Sequence, residues 1–232
     1  MSKKRKEGQL KPTMIEDPDV IVDKAEVFFS NTRNKNITLI LGGVIILAVV
    51  GFFLYSGQVD SKNKEANEEM FQAIYNYEAD SLAKALNGDG FNYGFIQIIN
   101  EYSGTEAANL ANLYAGNIYM NLGDFPSALR HLKEFSSSDY VVQARAYSLI
   151  GDSHMELAEY AEAASYYEKA AEYKPNASYT PIYLQKLALA SEKAGDYSGA
   201  AEAYGTIIED YFSSALVQEA KKQKARLESL SQ

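Results

Sequence analysis

Arg145 to Ala170 reads RAYSLIGDSHMELAEYAEAASYYEKA, two amphipathic helical segments joined by the short turn Leu157-Ala158-Glu159. The same pattern stands in LANLYAGNIYMNLGDFPSALRHLKEF from Leu110 and in IYLQKLALASEKAGDYSGAAEAYGTI from Ile182. With Gly116, Gly151 and Ala188 aligned, the later small residues Ala128, Ala163 and Ala200 fall into register, at spacings of 35 and then 37 residues. Neither helix of such a unit buries its apolar stripe without a neighbour, so the pattern demands a stack of helical pairs. Small side chains at Gly151 and Ala163 let the backbones of two helices approach, and larger ones would prevent it.

This register resembles the tetratricopeptide repeat, a helix-turn-helix unit with small residues where its helices cross and aromatics around them. In the middle unit the resemblance rests on Tyr147, Ile150, Gly151, Tyr160, Ala163, Tyr167, Ala170 and Pro175, with His154 in place of the usual aromatic three residues after the glycine. It implies an α-solenoid whose concave face is lined by the first helix of each unit. A protein-binding groove then falls at Asn117, Met120 and Asn121, at Arg145, Ser148, Asp152, Met155 and Glu156, and at Gln185, Leu189, Glu192 and Lys193. The other reading of each residue is a solvated helix face. The best-known groove chemistry of the family grips an acidic C-terminal peptide with Lys and Asn, but Leu113 stands here in the place of the first lysine. Met, amide and acidic groups together suit adaptable contacts with extended or partly unfolded chains.

Working outward, the units span about 109–142, 144–177 and 181–213, and residues 214–230 form a Lys- and Glu-rich helix that caps the stack. Lys64 to Leu86 is amphipathic, Asn87-Gly88-Asp89-Gly90 is a turn, and Phe91 to Tyr102 matches Tyr204 to Tyr211, so residues 64–102 form a divergent helical pair. The fold class expected is all-α: a single N-terminal transmembrane helix followed by this solenoid over residues 57–232.

The transmembrane segment is Ile37 to Tyr55, ITLILGGVIILAVVGFFLY, which has no charged residue. A helix of that length, at about 1.5 Å per residue, matches a hydrocarbon core of about 30 Å. The run is apolar on every face, unlike a core helix, which keeps a polar stripe. No small-x-small cleavage site follows at Ser56-Gly57-Gln58, so an uncleaved anchor over residues 37–56 is expected. Lys3, Lys4, Arg5, Lys6, Lys11, Lys24, Arg33 and Lys35 precede it and only Lys62 and Lys64 follow closely, which places the basic tail 1–36 in the cytoplasm.

Residues 1–56 hold 8 basic and 6 acidic side chains; the remainder hold 14 and 25, a net charge of −11. A phosphate backbone needs clustered Lys and Arg, so nucleic acid is not expected as a partner despite the basic turn Lys221, Lys222, Lys224 and Arg226. With no cysteine, disulfides, thiol nucleophiles and Cys-based zinc sites are excluded.

No HExxH, GxSxG, GxxxxGK[ST] or GxGxxG occurs, and the two histidines, His131 and His154, sit in different units. Asp152, His154 and Glu156 are two residues apart on a helix, so their side chains diverge rather than converge on a proton or a metal. Asn87-Gly88-Asp89-Gly90 lacks calcium-loop spacing, and the sequon Asn176-Ala177-Ser178 would mean little if the chain is bacterial. No enzyme activity, cofactor, metal or small-molecule substrate is expected.

Read together, VDKAEVFFSNTRNK (Val22 to Lys35) with its Phe28-Phe29 pair, the membrane helix, the amphipathic helix after Lys62 and the repeats resemble bacterial YfgM-type proteins. That resemblance implies a single-pass inner-membrane protein with a periplasmic repeat domain, ancillary to the Sec translocon. Its partners would be translocon subunits, a membrane-anchored periplasmic chaperone and exported chains. The alternative is a repeat adaptor for another envelope assembly or stress-regulatory complex; an organelle import receptor would require the opposite topology.

Overall fold

A computed structural model describes residue 28 and residues 30–230, about four-fifths of them helical. The basic cluster Lys3 to Lys6 and the second residue of the Phe28-Phe29 pair lie outside the described residues. The chain divides into two compact units, Met1–Gly57 and Gln58–Gln232.

Helix α1, Thr32–Glu78, contributes to both units. In the first unit its apolar side chains, Leu39, Leu47, Phe52 and Leu54 among them, are exposed, which is costly in water and stable in a hydrocarbon solvent. Asn36–Glu78 is long and apolar enough to cross a membrane.

In the second unit, residues 64–102 differ from the expected long helix and turn. α1 stops at Glu78 because Asp80 takes up a left-handed φ of 55°, and Ser81 N–H closes back on the Asn76 carbonyl at 2.8 Å. Asp is among the few non-Gly residues that tolerate this conformation. A short α2, Leu82–Asn87, follows, and then α3, Phe95–Glu101. Between them the Asp89 carboxylate accepts the backbone N–H groups of Phe91 and Asn92, which holds its pKa down at about 2.

Three helical pairs come next: α4 Glu106–Asn121 with α5 Phe125–Glu134, α6 Tyr140–Glu156 with α7 Tyr160–Glu172, and α8 Thr180–Lys193 with α9 Tyr197–Asp210. The last helix, α10 Val217–Leu230, buries Val217, Ala220 and Leu227 on the third pair and leaves Lys221 and Lys222 exposed. Alanine fills the crossings: Ala128, Ala163 and Ala200 have no exposed surface at all.

The glycines at the aligned positions serve a related purpose to the one expected. A Cβ on Gly116 would lie 2.6 Å from Leu132 Cγ, and one on Gly151 would lie 2.6 Å from the Tyr167 ring. The space is therefore taken by one large side chain from the second helix rather than by the second helix's backbone.

The three turns are closed identically. Gly123, Ala158 and Gly195 sit at φ of 75°, 59° and 86°, and the next residue's N–H reaches back five residues, as in Asp124 to Tyr119, Glu159 to His154 and Asp196 to Ser191. Asp124 and Asp196 then cap the following helix through their side chains, whereas Glu159 makes no cap hydrogen bond.

Candidate protein-interaction surface

The first helices α4, α6 and α8 carry all twelve residues expected to line the groove, but these do not all stand free. Six polar side chains make no hydrogen bond or ion pair among the described residues: Asn117, Asn121, Arg145, Glu156, Gln185 and Lys193. Of these, Asn121, Arg145, Glu156 and Lys193 are exposed, and so is the apolar Leu189. Met120 and Met155 are half-buried, each packed beside a core cluster formed with the second helices.

Three others are used internally. Asp152 accepts a hydrogen bond from Tyr167 Oη at 2.6 Å and from Lys186 Nζ at 2.8 Å, and the same ammonium donates to the hydroxyl of buried Ser148 at 3.1 Å. Lys186 thus ties α8 to α6. The neighbouring carboxylate and burial push the Tyr167 hydroxyl pKa well above its ordinary value, burial being the larger cause. Glu192 is gripped by both guanidinium nitrogens of Arg226, at 3.0 and 2.6 Å, which fastens the third pair to α10. That contact lowers the Glu192 pKa and raises that of Arg226. Ser148, Asp152 and Glu192 are therefore neither free groove residues nor a solvated face: they hold the stack together.

Lys186 was not among the expected site residues, although the register marks it. It aligns with Leu149 and Tyr114, both packed in the other units, so a lysine there requires an acid within reach.

The histidines belong to packing. His131 stacks on Tyr119 and His154 on Tyr166, each pair with ring centroids 5.4 Å apart. Tyr119 aligns with His154, and His131 with Tyr166, so one aromatic pair recurs in successive units with its members exchanged. His131 Nδ1 stands 2.9 Å from Asn112 Oδ1, and His154 Nδ1 meets the Glu159 carboxylate at 2.5 Å. Asp152, His154 and Glu156 thus diverge to separate environments. Among the described residues no group of three His, Asp or Glu side chains could hold a metal ion.

Two family models agree with this repeat geometry. Residues 113–178 match one tetratricopeptide repeat family model and residues 183–211 match another. The crystal structure of MamA is similar over 58% of this chain and 87% of that chain, with 23% identity and a TM-score of 0.39. Comparison with curated proteins gives no match. By the two family matches, residues 113–178 and 183–211 carry tetratricopeptide repeats, a module that is typically a non-enzymatic binder of other proteins.

Proposed function

We propose that this protein is a membrane-anchored scaffold of the bacterial cell envelope that holds other proteins on the face of its first helices and assists Sec-dependent export or periplasmic chaperoning. The observation that carries the reading is the division of that face: Asp152, Ser148 and Glu192 are consumed in holding the units together, while Asn117, Asn121, Arg145, Glu156, Gln185 and Lys193 keep their polar groups unspent. Unspent polar groups beside Leu189 and the adaptable Met120 and Met155 suit an extended protein ligand. The partners proposed are translocon subunits, a periplasmic chaperone and exported chains.

The basic excess before Ile37 supports a cytoplasmic N-terminus and a repeat domain on the far side of the membrane. The order of basic tail, anchor and repeats, similar to that of YfgM-type proteins, supports the translocon as the assembly.

Protease treatment of spheroplasts and affinity purification test both parts. The account expects digestion of the repeats with the tail spared, and translocon subunits in the purified complex. Protected repeats would refute the topology. Exposed repeats with a different envelope complex in the eluate would refute the Sec assignment alone.

A further inference from the structure

Between the second helices of the first two repeats lies a furrow of about 560 Å³ that the first-helix face does not include. The half-buried rings of Tyr147, Tyr166 and Tyr173 give it an apolar lining. Lys133 on α5 and Lys169 on α7 hold their ammonium groups 5.6 and 4.4 Å from the centroid of the Tyr166 ring, so the two charges are no more than 10.0 Å apart. Neither lysine forms an ion pair among the described residues. The lining also includes buried Gln143, whose amide oxygen accepts Ser137 N–H at 2.6 Å and whose NH₂ makes no hydrogen bond among the described residues.

This combination is local. The corresponding furrow one unit on, about 700 Å³ in volume, is lined by Glu168, Glu172, Glu202 and Asp210, with neither lysine nor arginine. An unpaired cationic pair over an apolar lining is complementary to an anion carried on an apolar body.

We propose that this furrow binds an extended polypeptide segment presenting an acidic side chain beside an apolar one. The apolar side chain would pack on the half-buried Tyr147 and Tyr173 rings, and the carboxylate would sit between Lys133 and Lys169. Lysine ammonium groups act as point charges, so they accept a carboxylate over a range of approach angles. The domain as a whole is acidic, and its long-range field repels such a ligand. Attraction here is short-ranged and requires contact with the lysines. This site is separate from the face assigned above and stands or falls independently of it.

The test uses the full chain in non-ionic detergent and fluorescence anisotropy with a labelled hexapeptide of alternating leucine and glutamate, both ends blocked. Saturable binding is expected, weakened about tenfold when the peptide's glutamates become glutamines and to the same degree in the double variant Lys133→Gln, Lys169→Gln. Lys169→Arg, which keeps the charge, should retain most of the affinity, and Arg145→Ala on the first-helix face should retain all of it. Circular dichroism checks that the double variant folds; both lysines are exposed, so it should. Absence of saturable binding, equal affinity for the glutamine peptide, or full affinity in the folded double variant would overturn the proposal.

Discussion

Lys186 Nζ stands 2.8 Å from both carboxylate oxygens of Asp152, 34 residues earlier and one repeat away. Asp152 also accepts a hydrogen bond from the Tyr167 hydroxyl, so one half-buried carboxylate joins both helices of the second unit to the first helix of the third. Asp152→Ala should lower stability by about 1–3 kcal/mol, because it strands two donors at once. Lys186→Leu alone leaves the Asp152 carboxylate without its cation and should also destabilise, whereas the double variant Asp152→Ala, Lys186→Leu replaces the whole pair and should cost less than the sum of the singles. Denaturant melts of the two singles and the double would show strong non-additivity. Independent, additive effects would mean that the network does not carry the contact between these units.

The turn positions give a paired prediction of opposite sign. Ala158 adopts the left-handed conformation that glycine supplies at Gly123 and Gly195. A Cβ there costs on the order of 1 kcal/mol, partly offset by the greater unfolded-state freedom of glycine. Ala158→Gly should raise the melting temperature and Gly123→Ala should lower it. The same sign for both would be inconsistent with the shared turn geometry.

Gly151→Leu should be severe. Even a methyl at this position would meet the Tyr167 ring at 2.6 Å, and that ring cannot swing away without breaking its hydrogen bond to Asp152. Overpacking costs about 1–3 kcal/mol in general, and more where the neighbour is pinned. Equal melting temperatures for wild type and Gly151→Leu would refute the register.

Asp89 supplies a pH marker. Its pKa is depressed to about 2 by the backbone N–H and the side-chain amide of Asn92 and by the Phe91 N–H, whereas an unfolded aspartate titrates near 3.9. A depressed carboxylate favours folding at pH values above the unfolded pKa, and that contribution is lost as pH falls toward 2. NMR titration of the Asp89 carboxyl should give a midpoint well below those of the exposed acids. An ordinary midpoint would mean that the turn is not closed by this side chain.

The repeats were legible because the constraint that makes them is local and recurrent: a small residue faces a large one at the same offset in each unit, and the spacing survives even where Gly116 and Gly151 give way to Ala188. The break at Asp80 was not legible, since an Ala-Asp-Ser string carries no signal as strong as Gly or Pro. The expected face residues all lie on the first helices, yet their division into free and consumed groups was hidden. Asp152 with Lys186 and Glu192 with Arg226 are pairs 34 residues apart whose meeting depends on side-chain reach between helices. Aligning the units would have exposed the lysine at a packed position, and also the exchange of histidine and tyrosine in the stacked pairs.

The central claim is that the unspent side chains of the first helices bind partner proteins. It is tested most directly by the quadruple variant Asn117→Ala, Arg145→Ala, Met155→Ala and Glu156→Ala, which leaves Asp152 to its structural partners. Three of the four truncations remove polar groups without hydrogen-bond partners among the described residues, and half-buried Met155 alone loses packing, so circular dichroism should show a folded protein with a modestly lower melting temperature. Loss of an interface hot spot costs about 2 kcal/mol or more, roughly a thirtyfold drop in affinity. The account predicts that this variant, folded and inserted, no longer co-purifies with translocon subunits and the periplasmic chaperone that the wild type retains. Recovery of the same partners in the same yield would contradict it.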